Sequence, residues 1–167
     1  MNQRAFILAV SLIIAAVAAA AALGGGSTSR TTETTSFVLH FLGPTGFVDN
    51  PPRSPEKNGI PQHLSPGDTL LAHSLVYDSR NTERLGRTSE LCTVTVPSPL
   101  TFDCSMALIF THEGELLVHG ALDPTKPTWN APVVGGDGRY SNAHGSVKMT
   151  GLATKQPAER WTFTLAG

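Results

Sequence analysis

The segment Thr101–Thr111 constrains this chain most, because Phe102, Cys104, Met106, Leu108 and Phe110 fall on every second position. Apolar residues at period two put one face of an extended strand against a core, which a helix cannot do with the same pattern. The period recurs in Ser36–Leu42, Asp68–Tyr77, Gly86–Val96, Glu115–Leu122, Trp129–Val134, Gly145–Gly151 and Arg160–Leu165, and no convincing 3.6-residue stripe appears after residue 36. Sixteen Gly and twelve Pro punctuate the 167 residues, as expected of many turns. Eight short strands predict one all-β domain: an eight-stranded antiparallel up-and-down β-barrel, which leaves no free edges, with a two-sheet sandwich as the alternative. Such a barrel encloses its own side chains plus, at most, a small ligand.

The N-terminus has a different character. Met1-Asn2-Gln3-Arg4 precedes an apolar run from Ala5 to Leu23, and Gly24-Gly25-Gly26-Ser27-Thr28-Ser29-Arg30 follows. A basic start, an apolar middle and small residues at Ala20-Ala21-Ala22 are the parts of a secretory signal peptide. The competing reading is an uncleaved anchor, since a helix of that length spans about 28 Å. The run is rich in alanine, which inserts weakly, so export with cleavage is favoured. The expected organisation is a signal peptide at 1–22, a Gly/Ser/Thr-rich linker at 23–35 and a barrel at 36–167. The mature protein is then secreted or extracytoplasmic, with no stable membrane span.

Export gives the cysteines a context, because Cys92 and Cys104 are the only two. Each lies six residues from Ser98, inside the turn signal Pro97-Ser98-Pro99. A hairpin reversing there sets the sulfurs opposite each other on neighbouring strands, close enough to bond. The small closed loop should contribute on the order of 3 kcal/mol in the chain-entropy model. Two buried thiols are the alternative.

The formal net charge is -1, with no run of Lys or Arg, so the chain lacks the electrostatic footprint of a nucleic-acid binder. The six histidines never take metal-ligand spacing, and neither a metal nor another cofactor is expected. Gly135-Gly136-Asp137-Gly138 lacks the Lys-Ser/Thr and the helix of a phosphate loop, and no serine sits in a nucleophile elbow. These glycines read instead as positive-φ positions for a tight reversal. The stretch Gly43–Gly67 holds Pro44, Pro51, Pro52, Pro55, Pro61 and Pro66, which predicts a long loop. Loops of that kind cover binding sites or are plain surface excursions.

Three polar residues are candidates for chemistry. Glu90 shares a strand face with Cys92 and Val94; an inward carboxylate there would have its pKa raised by desolvation and could act as a general acid or base. The structural alternative is a strand-end carboxylate reaching solvent. His73 and Tyr77 share a face with Leu71 and Leu75, which makes them candidates for the interior, or else a hydrogen-bonded structural pair. His119 alternates against Leu116 and Val118 and belongs outside. Met106, Leu108 and Phe110 offer a continuous apolar face as ligand lining.

A family resemblance rests on motifs in order. They are Gly67-Asp68 opening a strand that ends Val76-Tyr77-Asp78, then Leu85-Gly86-Arg87 and Glu90-Leu91-Cys92-Thr93-Val94. Gly114, Val118-His119-Gly120, Val133-Val134-Gly135-Gly136-Asp137-Gly138-Arg139-Tyr140 and Ala143-His144-Gly145-Ser146-Val147 follow, before a closing aromatic strand. From Gly67 to Gly167 this order resembles the allene oxide cyclase and dirigent-protein superfamily of eight-stranded barrels. In the cyclases the resemblance implies a glutamate in the first strand, an asparagine in the second and a cysteine in the third. The cysteine position matches Cys92 and the asparagine position falls at Ser74, but Ser36–Leu42 contains no carboxylate. For dirigent proteins it implies carboxylates, Arg and Tyr inside the barrel, for which Arg87, Tyr77 and Asp78 are the counterparts here.

Two functions are therefore expected in competition. One is an exported isomerase or cyclase that works mainly by positioning a small hydrophobic molecule. Its catalytic groups would be Glu90, Tyr77 and His73, with Ser74, Arg87, Met106, Leu108 and Phe110 holding the ligand. The other is a non-catalytic carrier for such a molecule, and a barrel filled by its own side chains is a third outcome. Nothing in the sequence sets an oligomeric state.

Overall fold

The computed structural model describes residues 32–50, 56–57, 60–61 and 63–166. The leader at 1–22 and most of the linker lie outside them. The strands are β1 (Thr32–Val48), β2 (Glu56–Lys57), β3 (Ile60–Pro61), β4 (Thr69–Tyr77), β5 (Arg84–Pro97), β6 (Leu100–Phe110), β7 (Gly114–Leu122), β8 (Thr128–Gly136), β9 (His144–Leu152) and β10 (Ala158–Ala166). Eight of them close an antiparallel barrel in the order β1-β10-β9-β8-β7-β6-β5-β4, and β2 and β3 form a separate small hairpin. The fold class read from the period-two segments is therefore the one found, and the sandwich is not. Among the described residues, no helix is long and apolar enough to cross a membrane.

β1 is longer at both ends than the sequence suggested. It begins at Thr32, inside the expected linker, and pairs with β10 from Thr32↔Ala166 to His40↔Ala158. It then continues along β4 as far as Val48↔Thr69, so Gly43–Val48 is strand and not loop. Pro44 lacks the N–H for a regular ladder, and the register slips on either side of it, between Phe41 and Pro44 and between Pro44 and Gly46. Irregular edges of this kind tolerate proline.

The β5–β6 hairpin reverses at Ser98-Pro99, with Pro97 paired to Leu100. That turn alone would place Cys92 one residue out of step with Cys104. A register shift between Val94 and Val96 restores the alignment, and Cys92 faces Cys104 directly. The two are joined by a disulfide with their Cα atoms 4.1 Å apart.

Half of the interior is solid. Phe37 lies against Phe110 and Phe163, and Phe110 against Tyr140, with ring centroids 5.0–5.8 Å apart. Leu108, Leu116, Val147 and Leu165 fill the space between them. The short 3-10 turn Gly138–Tyr140 closes this end, and the Tyr140 hydroxyl donates to Glu113, which also pairs with Arg139. The glycine reading needs correction here. Gly138 has φ +56°, but Gly135 and Gly136 belong to β8 and do not adopt positive φ. Gly136 is needed for close approach instead, since a Cβ there would meet the Glu115 carbonyl oxygen at 2.5 Å.

Asp68 ties the chain entering β4 to the barrel. Its buried carboxylate accepts from the Asn50 N–H (3.0 Å), the Ser65 N–H (2.6 Å) and the Ser65 hydroxyl (3.0 Å). Asp68→Ala would strand two backbone donors, and we expect a loss of about 2–4 kcal/mol in chemical denaturation. A loss below about 0.5 kcal/mol would show that water replaces these bonds freely.

Candidate functional site

The other half of the barrel is open. Inward positions near that end carry small side chains, among them Ala72, Ser74, Cys92, Cys104 and Ala158, where the solid half carries Phe and Leu. An eight-stranded barrel is just wide enough for side chains to fill it, so small ones leave space. The result is a cavity of about 480 Å³. Leu39, Leu70, Phe102, Met106 and Trp129 supply much of its apolar wall. Trp161 forms the boundary with the solid half: it lines the cavity, is 2 % exposed and packs against Phe163.

Two carboxylates, Glu90 and Glu159, are the only ionisable side chains among the described lining residues. Glu90 is fixed by β4 and β5. The ladder between them has Ala72↔Glu90 and then resumes at Leu75↔Arg87. Within this gap the Ser74 N–H donates to the Thr88 hydroxyl (2.8 Å) instead of a backbone carbonyl. The Thr88 hydroxyl in turn donates a hydrogen bond to Glu90 Oε1, and the Ser74 hydroxyl donates to the same oxygen (3.1 Å). Both bonds end on Oε1, so Oε2 is left unengaged by them. Thr88 and Ser74 are themselves buried, which locks the carboxylate in place.

Glu159 enters from β10 and accepts a hydrogen bond from the Trp161 indole N–H (2.8 Å). Its pKa is raised above the ordinary carboxylate value. Burial is the main cause; the indole bond opposes it and the nearby charge of Glu90 adds to it. Sequence reading missed Glu159 because the last strand was started at Arg160. Its parity with Trp161, Phe163 and Leu165 was the available signal.

The expected site residues divide. Glu90, Ser74 and Met106 line the cavity together, and the Cys92–Cys104 bond forms part of its wall. His73 and Tyr77 do not line it. On β4 the buried, inward positions are Ala72, Ser74 and Val76, which puts the opposite parity outside. Tyr77 packs edge-on against His40 at 5.1 Å. Arg87 is exposed on β5, one residue out of phase with Thr88 and Glu90. Leu108 and Phe110 do face inward, but in the solid half, away from the cavity lining. No described residue between Gly43 and Thr69 lines the cavity either. Among the described residues no group of three or more His, Cys, Asp or Glu could hold a metal ion.

His119 lies outside, as expected, bonded to Ser105 (3.0 Å) and near Asp103 (3.4 Å). The trio has the membership of a hydrolase triad but not its setting. β6 is paired on both sides, so its backbone donors are committed to ladders and supply no oxyanion hole.

The raised pKa of Glu159 has a stability consequence. Its charged form is penalised only when folded, so the native state loses stability as pH rises from the unfolded value of 4.5 through the folded one. Glu159→Gln, which still accepts from the indole, removes that loss. Variant and parent should melt together near pH 4, and the variant should melt higher by pH 7, as followed by thermal denaturation. A pH-independent difference would contradict this origin.

No protein-family model and no curated protein matches the chain. Solved structures do match it in three dimensions. A pterocarpan synthase dirigent protein has a TM-score of 0.65 at 15 % identity, covering 84 % of this chain and 87 % of its own. A pyocyanin demethylase has 0.61 at 18 %, covering 80 % and 99 %. An exo-specific intermolecular Diels-Alderase has 0.60 at 20 %, covering 83 % and 99 %. Identities this low speak for the fold. Strand order, closure and these neighbours together identify the fold as a closed eight-stranded antiparallel barrel of the kind seen in a dirigent protein and a Diels-Alderase.

Proposed function

We propose that this protein binds a small hydrophobic molecule in the open half of its barrel and holds it folded for cyclisation or isomerisation. The observation that carries the reading is the apolar cavity of about 480 Å³ with Glu90 and Glu159 as the only ionisable groups among its described lining residues. A mostly hydrophobic pocket with a few fixed polar anchors is what orients a small ligand. Burying about 200 Å² of ligand surface supplies about 5 kcal/mol before association costs. The disulfide supports an oxidising, extracytoplasmic setting.

Catalysis in such a site rests mainly on shape, because confining a flexible substrate near its reactive geometry removes entropy from the barrier. The two carboxylates add proton handling. Glu159, whose burial favours the protonated form, is the donor toward a carbonyl or leaving oxygen. Glu90, held rigidly through Oε1, is the acceptor. Structural neighbours described as a dirigent protein and a Diels-Alderase support this direction. A carrier role is the second reading, favoured by the predominantly apolar lining.

Ala72→Phe places a ring inside the cavity without touching the solid half. It should weaken binding of the neutral dye N-phenyl-1-naphthylamine about tenfold or more while leaving the β-sheet circular dichroism intact. A folded variant that keeps full dye affinity would exclude the cavity as the site. Incubating a copurified ligand then separates the two readings: a carrier returns it unchanged, a cyclase returns an isomer of equal mass.

A further inference from the structure

The chemistry of the cavity wall is one-sided. It holds two carboxylates and no Lys, Arg or His among the described lining residues. Carboxylates buried in proteins are ordinarily matched by a basic partner, because an uncompensated charge away from water is costly. The basic residues nearby in sequence face elsewhere. Arg87 is exposed on β5, Arg160 donates to the Ser79 carbonyl, and His40 bonds Asn81 outside the cavity. The Ser74 and Thr88 hydroxyls orient Glu90 without neutralising it, and the indole does no more for Glu159. Glu90 and Glu159 also repel each other. The same cavity presents Trp129 and Trp161, edge to face at 6.3 Å, together with Phe41 and Phe102. Aromatic faces attract cations, most strongly where water is excluded.

From this we infer that the cavity selects a hydrophobic cation, a protonated amine or a charged heteroaromatic ring, whose positive charge takes the place of the missing basic side chain between Glu90 and Glu159. The ligand supplies what the protein omits: its charge pairs with the carboxylates and its apolar body fills the space beside the tryptophans. An anionic ligand such as a fatty acid would add like charge to a low-dielectric space that already holds two acidic groups and is disfavoured. This inference rests on the reading of the cavity as the ligand site and adds the charge class of its occupant.

Three ligands of nearly equal shape isolate the charge: 2-(2-naphthyl)ethylamine, 2-(2-naphthyl)ethanol and 2-naphthylacetate. Each is titrated against the protein loaded with N-phenyl-1-naphthylamine. The amine should displace the dye at a concentration about tenfold lower than the alcohol, and the carboxylate should be the weakest. In the double variant Glu90→Gln, Glu159→Gln, with each displacement referred to that variant's own dye affinity, amine and alcohol should come to within about twofold. Either single variant serves if the double one fails to fold. Equal displacement by amine and alcohol, a preference for the carboxylate, or an amine preference that survives both substitutions would overturn the inference while leaving the cavity as a hydrophobic site. No dye binding at all would remove the underlying reading as well.

Discussion

The bore of an eight-stranded barrel is fixed by strand number and tilt, so side-chain size decides whether its interior is filled or hollow. Here the decision differs between the two ends. Phe37, Leu108, Phe110, Leu116 and Phe163 close one half, while Ala72, Ser74, Cys92, Cys104 and Ala158 leave the other open. The disulfide belongs to this division. Two directly opposed inward positions are occupied by one compact, cross-linked group, which removes bulk from the wall while constraining the hairpin that carries it. The solid half thus supports the hollow one, and Trp161 is the boundary between them.

A hollow lined only with hydrocarbon would be a passive container. The two carboxylates change that, and each is held by a device its strand provides. Glu90 depends on a gap in the β4–β5 ladder, where a threonine hydroxyl stands in for a backbone acceptor. Glu159 depends on the indole two residues further along its own strand. Keeping two acidic groups in an apolar space costs stability in the empty protein, a cost typical of sites shaped for function and not for folding.

The architecture was legible in the sequence because period two and turn residues are local signals, and every barrel strand except β1 emerged within two residues of its true ends. What failed was the choice of face on β4. Leu71, His73, Leu75 and Tyr77 are larger and more distinctive than Leu70, Ala72, Ser74 and Val76, so the bulkier set looked like the interior. In a barrel with a cavity the logic inverts, because the small residues point in. The continuation of β1 was hidden by Gly43-Pro44, and only tertiary pairing with β4 shows that the strand passes through. Glu90 and Met106 were found because their strands have an unambiguous inner face, whereas Ser74 came from the family resemblance, at the position of its asparagine. Glu159 was lost to a strand boundary placed two residues late.

The central claim, that the hollow half of the barrel is where this protein meets its ligand, is tested most directly by an experimental structure with a bromine-labelled naphthylethylamine. The account predicts the anomalous bromine signal inside the barrel beside Trp129 and Trp161, with the ammonium turned toward Glu90 and Glu159. Bromine found only on the outer surface of the barrel, with the interior holding water alone, would contradict it.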